Sequence, residues 1–186
     1  MRNKSLIFLL PVLLMSFYVK AQNKKAKFHS INSIGFVIGE SGTDMMVQSV
    51  NGFAYKNVYS GIGFAKDDYN YNSYPLFFDQ RIYFGKRNNA FVYGDLGYNI
   101  SGKNKPGKEI YYNSYHFSGG VYTDFGIGYK IKLRKSYLTL SPGFSYKEIN
   151  NKVGVVNPCL VGPCPVDYSS YKYGNGRVVL KAGVDF

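Results

Sequence analysis

The sequence predicts an all-β fold, eight antiparallel strands closed into an up-and-down barrel, and three observations predict it. Apolar and polar residues alternate with period two along most of the chain. The alternating segments are joined by short polar turns and longer loops in turn. The composition holds 19 Tyr, 14 Phe and 21 Gly with no Trp, which favours strands and tight turns over helices. No long stretch places apolar residues at i, i+3, i+4 and i+7, so the helical period is missing.

The N-terminus is expected to be removed. Arg2 and Lys4 precede an apolar stretch over residues 6–19, interrupted by Pro11 and Ser16, and Val19-Lys20-Ala21 ends it. That three-part layout is that of a secretory signal peptide, residues 1–21, and its apolar part is too short for a comfortable membrane helix. One domain of 165 residues, 22–186, would remain. Beyond Ala21 nothing approaches the eighteen or so consecutive apolar residues of a spanning helix.

Each strand rests on its own alternation. Residues 28–38 and 45–55 alternate least cleanly. In 58–64, Val58, Ile62 and Phe64 oppose Tyr59, Gly61 and Gly63. In 74–84, Leu76, Phe78, Ile82 and Phe84 oppose Asp79, Arg81 and Tyr83, with Gln80 an exception on the apolar side. In 90–100, Val92, Leu96, Tyr98 and Ile100 oppose Tyr93, Asp95, Gly97 and Asn99. Residues 121–133 set Val121, Phe125, Ile127 and Ile131 against Tyr122, Asp124, Gly126, Gly128 and Lys130. Residues 137–147 set Leu138, Leu140 and Phe144 against Thr139, Ser141, Gly143 and Lys147. In the last segment Val178, Leu180, Val184 and Phe186 oppose Arg177, Lys181, Gly183 and Asp185. Successive strand side chains point to opposite faces, so every segment has one greasy face.

The connections fall into two kinds. Residues 56–57, 86–89 and 134–135 are short turns; 40–44, 67–73, 101–115 and 150–171 are longer. This alternation puts the long loops at one end of a meander and the turns, with both termini, at the other. Bacterial outer-membrane barrels have that asymmetry, with short turns on the periplasmic side.

The glycines decide which face points out. On a water-exposed sheet Gly61, Gly63, Gly97, Gly126, Gly128, Gly143 and Gly183 would weaken the strands without return. Inside a narrow barrel they make room beside Tyr59, Tyr93, Tyr122 and Tyr137. The greasy face therefore points outward, toward lipid, and the barrel is transmembrane. Hydrocarbon offers no partner to a backbone N–H or C=O, which makes closure obligatory. Eight strands leave little space for a channel, so general porin activity is not expected.

Gly61-Ile62-Gly63, residues 75–84 (PLFFDQRIYF) and Gly126-Ile127-Gly128-Tyr129 resemble small outer-membrane β-barrel domain proteins of Bacteroidota, within the wider OmpA/OmpX-like barrel group. The resemblance spans nearly the whole mature chain and implies architecture and a Gram-negative outer membrane, not an activity. Residues 181–186 (KAGVDF) also resemble the C-terminal signal read by the barrel-assembly machinery, with Gly183 and the terminal aromatic Phe186 in the expected places.

Few residues suggest chemistry. His116-Phe117-Ser118 resembles the His-x-Ser pair of lipid A deacylases, but the place of that family's Glu holds Lys130. A histidine activates a serine only when a third group orients it. Strand parity also puts His116 and Ser118 on the lumen side. No metal cluster, phosphate-cradling loop or cofactor motif is present, so no cofactor is expected. Asp79, Arg81, Asp95, Asp124, Lys130, Arg177, Lys181 and Asp185 are expected to form a paired-charge network filling the lumen, since buried charges need partners.

Cys159 and Cys164 flank Leu-Val-Gly-Pro in the last long loop and are expected to bridge in an oxidising compartment. The formal charge is +12, or +9 without Arg2, Lys4 and Lys20. Lys103, Lys105 and Lys108 would face anionic lipopolysaccharide at the outer end. No nucleic-acid module accompanies this charge. Tyrosines gather at the loop ends: Tyr69, Tyr71 and Tyr74; Tyr111, Tyr112 and Tyr115; Tyr168, Tyr171 and Tyr173. Some belong in an interfacial girdle. Tyr69, Tyr71, Tyr111, Tyr112, Tyr168 and Tyr171 are also candidates for recognising an extracellular ligand. The function expected is a non-enzymatic barrel with a structural or surface-binding role; the alternative is a lipid A-modifying enzyme.

Overall fold

Period-two segments made of β-branched and aromatic residues form nine antiparallel strands in the computed structural model, which describes residues 26–102, 113–157, 159, 162 and 165–186, with the backbone alone at 113–116. They are β1 (Lys27–Gly39), β2 (Gly42–Tyr55), β3 (Val58–Asp67), β4 (Ser73–Phe84), β5 (Ala90–Ser101), β6 (Asn113–Ser118), β7 (Gly120–Lys132), β8 (Tyr137–Val156) and β9 (Val166–Asp185). Eight of them form a ring in the order β1-β2-β3-β4-β5-β7-β8-β9. The first and last strands close it, from Ile31 opposite Asp185 to Ile38 opposite Val178. The fold is thus the expected all-β, eight-stranded up-and-down barrel.

The ninth strand corrects an expected loop. Residues 113–118 lie in the predicted 101–115 connection and beyond it, yet they pair with β8 from Asn113–Val155 to Ser118–Asn150. β7 pairs with the same strand one residue out of step, Tyr122 facing Lys147. β6 is therefore an outward continuation of β7 past a bulge at Gly119, where the chain carries one extra residue. A Cβ on Gly119 would run into the Asn99 carbonyl, so only glycine lets the strand bend there. Asn150 Nδ2 donates to the Gly119 carbonyl across 2.8 Å and holds the bend.

Two more boundaries differ from expectation. The 150–171 loop is mostly strand, because β8 continues to Val156 and β9 begins at Val166. Outside the barrel wall neither face meets lipid, so backbone pairing persists after the apolar alternation has faded. The 40–44 loop shrinks to Glu40-Ser41, with Gly42 at φ +119° completing the turn. Only a residue without a Cβ takes that conformation readily. The long connections on that end are thus three rather than four.

The two faces differ in chemistry as the alternation requires. Phe36, Phe64, Leu76, Phe78, Leu96, Phe125, Ile127 and Leu180 stand outward and exposed. Gln80, the polar exception, accepts a hydrogen bond from Ser60 Oγ at 2.8 Å. Rings mark both ends of the belt. Phe64 stacks on Tyr74 at 6.2 Å near the loop end, and Phe28 meets Phe53 edge-on at 5.6 Å near the turn end. From Tyr74 to Phe84 the strand runs about 33 Å, or about 25 Å along the axis of a barrel tilted about 40°, matching the apolar height of such barrels. The glycines on the inner face serve large rings. A Cβ on Gly63 would overlap the Phe77 ring, one on Gly128 the Phe91 ring, and one on Gly143 the Tyr93 hydroxyl.

Candidate functional site

The lumen is filled by charges in tiers, each fixed by inward positions of several strands. At the turn end Asp185 on β9 takes His29 Nδ1 at 2.8 Å and Lys130 Nζ at 3.0 Å. That ammonium also lies over the rings of Tyr83 and Tyr137, at 4.3 and 4.4 Å. One tier further in, Arg81 grips Asp79, two positions back on β4, by a fork of 3.0 and 2.8 Å. The Arg81 guanidinium sits among the rings of Tyr59, Phe91 and Tyr93 at 5.8, 5.4 and 5.9 Å. Cations over aromatic faces in a dry interior are favourable contacts.

In the middle tier Lys181 donates to Asp124 at 3.0 Å and lies 3.7 Å from Asp95. Tyr93 and Tyr122 donate their hydroxyls to Asp124 at 3.0 and 3.3 Å. At the loop end Arg177 pairs with Asp67, which Lys147 also approaches at 3.2 Å. Lys147 donates to Ser73 Oγ at 3.0 Å and to the Tyr71 carbonyl at 3.1 Å. Arg177 donates to Ser145 Oγ at 3.1 Å. Asp67, Asp79, Asp95, Asp124 and Asp185 face Arg81, Lys130, Lys147, Arg177 and Lys181, so these charges cancel. Opposite signs within 4 Å of each other make nine buried charges and the half-buried Lys130 tolerable, although Asp95, 3.7 Å from Lys181, accepts no hydrogen bond.

All eight charged lumen candidates point inward. Asp67 and Lys147 belong with them and were missed. Asp67 stood at the edge of an assumed loop, and Lys147, though on the inner parity, ended an assumed strand. Tyr69 corrects the surface-binding set. It is 2% exposed, its ring lies under Arg177 at 5.5 Å, its hydroxyl accepts the Ser41 N–H at 2.9 Å and its own N–H donates to Asp67 at 2.9 Å. The loop folds inward because Asp67 needs donors at the mouth. Tyr71 is half-buried against Phe117, 5.3 Å away. Tyr111 and Tyr112 lie outside the described residues, as do Lys103, Lys105, Lys108 and Cys164; Cys159 is exposed in the connection between β8 and β9.

Tyr168 and Tyr171 stand free in a different element. β9 from Val166 to Arg177 pairs with β8 alone, because its pairing with β1 ends at Ile38 opposite Val178. β6, the outer half of β8 and this part of β9 therefore form a three-stranded arm beyond the ring. Tyr168 is 73% exposed and Tyr171 50%. Lys172 reaches back to Glu148 at 2.9 Å and pins the arm's root.

Ser118 lies far from Lys130, the residue in the place of the deacylase Glu. Ser118 ends β6 near the bulge, whereas Lys130 lies twelve residues further along, about 40 Å at strand rise, in the turn-end tier with Asp185. The His116 side chain lies outside the described residues. Among the described residues no group of three or more His, Cys, Asp or Glu side chains is placed to hold a metal ion.

At the barrel seam Ser30 and Phe186 exchange backbone hydrogen bonds of 2.9 and 3.1 Å. A Cβ on Gly183 would sit 2.7 Å from Ser33 Cβ, so glycine permits β1 and β9 to close. Phe186 points outward, 61% exposed.

No family model matches the chain, and no curated protein matches its sequence. Among solved structures it is similar to the outer membrane protein OprG from Pseudomonas aeruginosa, with a TM-score of 0.51 and 14% identity over 87% of this chain and 97% of that one. The translocator domain of the autotransporter NalP from Neisseria meningitidis aligns at a TM-score of 0.29 and 12% identity, over 97% of this chain and 95% of that one, too distant to carry an argument. The first likeness establishes the fold, that of an outer-membrane β-barrel.

Proposed function

We propose that this chain is an integral outer-membrane protein with a plugged lumen and a non-enzymatic, surface-binding role exercised through its outer arm. The arm carries the reading. An exposed strand edge with Tyr168 and Tyr171 beside Ser169 and Ser170 offers unpaired backbone groups and rigid amphipathic rings together, a combination suited to contact with an extended partner segment. The lumen supports the same view, since ion pairs and aromatic rings fill it.

The reading includes export through a signal peptide, insertion by the barrel-assembly machinery through Gly183 and Phe186, contact with lipopolysaccharide, and membership of the small barrel group of Bacteroidota. A bridge from Cys159 to Cys164 would stiffen the arm's tip. Binding of cells displaying the intact protein, compared with cells displaying a form shortened between Lys152 and Ser170, to an array of extracellular matrix and bacterial surface molecules tests the role. At least one ligand retained by the intact form and lost with the arm is expected; equal binding by both forms would refute it. The lipid A-modifying alternative has a separate test. Mass spectrometry of lipopolysaccharide incubated with the protein is expected to show no acyl loss, and loss abolished by Ser118→Ala would replace this reading.

A further inference from the structure

The turn end of the barrel holds a feature that neither the plugged lumen nor the outer arm uses. A cavity of about 570 Å³ opens there, lined by cations from separate elements: Lys27 at the start of β1, Lys56 in the β2–β3 turn, Arg87 in the β4–β5 turn and Lys130 on β7. Its floor is aromatic, made by Tyr59, Tyr83 and Tyr137. Asp185 is the acid at its base, and His29 and Lys130 already occupy its two oxygens. None of the turn segments, residues 52–61, 82–92 and 128–140, contains an Asp or Glu. Lys27, Lys56 and Arg87 thus face the cavity without a counter-charge among the described residues, in contrast to the lumen above, where acids and bases balance one for one.

We propose that this vestibule binds a soluble organic phosphate, a molecule with a phosphate group and a flat or ring-shaped body. Cations from separate elements around one cavity suit an oxyanion, which accepts charge-assisted hydrogen bonds from Lys and Arg. Of the three rings Tyr59 and Tyr83 are buried beneath the cavity, and the half-buried Tyr137 is the one left to pack against a flat or sugar-like group. The cavity is lined from β3, β4, β7 and β8, which lie on different sides of the ring. It therefore opens along the barrel axis, where a dissolved molecule enters and a phospholipid in the surrounding bilayer does not. Lys130, stacked between Tyr83 and Tyr137, is fixed at the base and would set the depth of the phosphate.

Calorimetric titration of the detergent-refolded full chain with phenyl phosphate, inorganic phosphate and benzoate tests this. Phenyl phosphate should bind best, about tenfold tighter than inorganic phosphate, since the ring adds buried apolar area worth about 1.4 kcal/mol. The double variant Lys56→Gln/Arg87→Gln, altered only in exposed turns, should weaken it about tenfold or more. Arg134→Gln/Lys135→Gln removes the same net charge from a turn outside the cavity and should leave binding unchanged. Equal weakening by both pairs would show attraction to net charge alone and overturn the site. No heat with phenyl phosphate at millimolar concentration would overturn it too. So would selective, Lys56- and Arg87-dependent binding of anionic phospholipid vesicles without phenyl phosphate binding, which would mark a lipid contact.

Discussion

Neutralising Asp124 isolates what the paired lumen contributes. This carboxylate is fully buried and takes three donors: Lys181 at 3.0 Å, Tyr93 at 3.0 Å and Tyr122 at 3.3 Å. Breaking a buried pair by removing one partner costs about 3–5 kcal/mol, because the other charge stays buried and uncompensated. Two features reduce the cost for Asp124→Asn. The amide oxygen still accepts from one tyrosine, and Asp95, 3.7 Å from Lys181, retains part of the attraction. About 2–3 kcal/mol remains, the range expected when a charged hydrogen bond is lost but its donor keeps a second anion. The double variant Asp124→Asn/Lys181→Met removes both charges and the unpaired cation with them. It should recover at least about 1 kcal/mol relative to the sum of the singles, since contacting residues are not additive. Urea unfolding in lipid vesicles, followed by gel mobility of unheated samples, reads each midpoint. A loss under about 0.5 kcal/mol for Asp124→Asn, or strict additivity in the double, would refute a lumen held by coupled charges.

Other expectations follow from the wall and the arm. Gly63→Val pushes a branched side chain into the Phe77 ring and should cost about 1–3 kcal/mol by overpacking, partly rescued by Phe77→Ala; unfolding midpoints check both. Phe78→Lys, at mid-height on the outward face and 51% exposed, should destabilise the protein in vesicles by about 2–4 kcal/mol, whereas Tyr171→Lys on the arm should cost under about 0.5 kcal/mol. Cys159 and Cys164 should resist alkylation until a reductant is added; labelling of both in the untreated, oxidatively expressed protein would exclude the bridge.

Much of the barrel was readable because lipid and a narrow lumen impose opposite chemistries on alternate residues. Val121-Tyr122-Thr123-Asp124-Phe125 carries its orientation in its own letters, and the inward charges from Asp79 to Asp185 followed from the same parity. Where that constraint lapses the reading fails. Asn150-Asn151-Lys152 and Ser169-Ser170 look like loop, yet they pair strand to strand in the arm, because outside the wall backbone hydrogen bonds need no apolar face. Glu40-Ser41 could not be recognised as a tight turn before Gly42 was known to take a positive φ. Tyr69 looked like a surface ring because nothing local reveals that Arg177, 108 positions away, needs its face. The turn-end vestibule escaped notice for the same reason. Lys130 read as a lumen charge and Lys27, Lys56 and Arg87 as basic residues of the turn end, and only barrel closure draws the four around one cavity.

Spin-label accessibility tests the central claim, a barrel with its apolar face in lipid, most directly. Single cysteines at Leu76, Phe78, Leu96, Phe125 and Leu180, in a chain whose two native cysteines are replaced by serine, carry nitroxides on the outward face. In vesicles each should be relaxed strongly by dissolved oxygen and weakly by a water-soluble nickel complex, while a label at Tyr168 on the arm should show the reverse. Nickel access at Phe78 and Phe125 equal to that at Tyr168 would place the greasy face in water and contradict the membrane barrel.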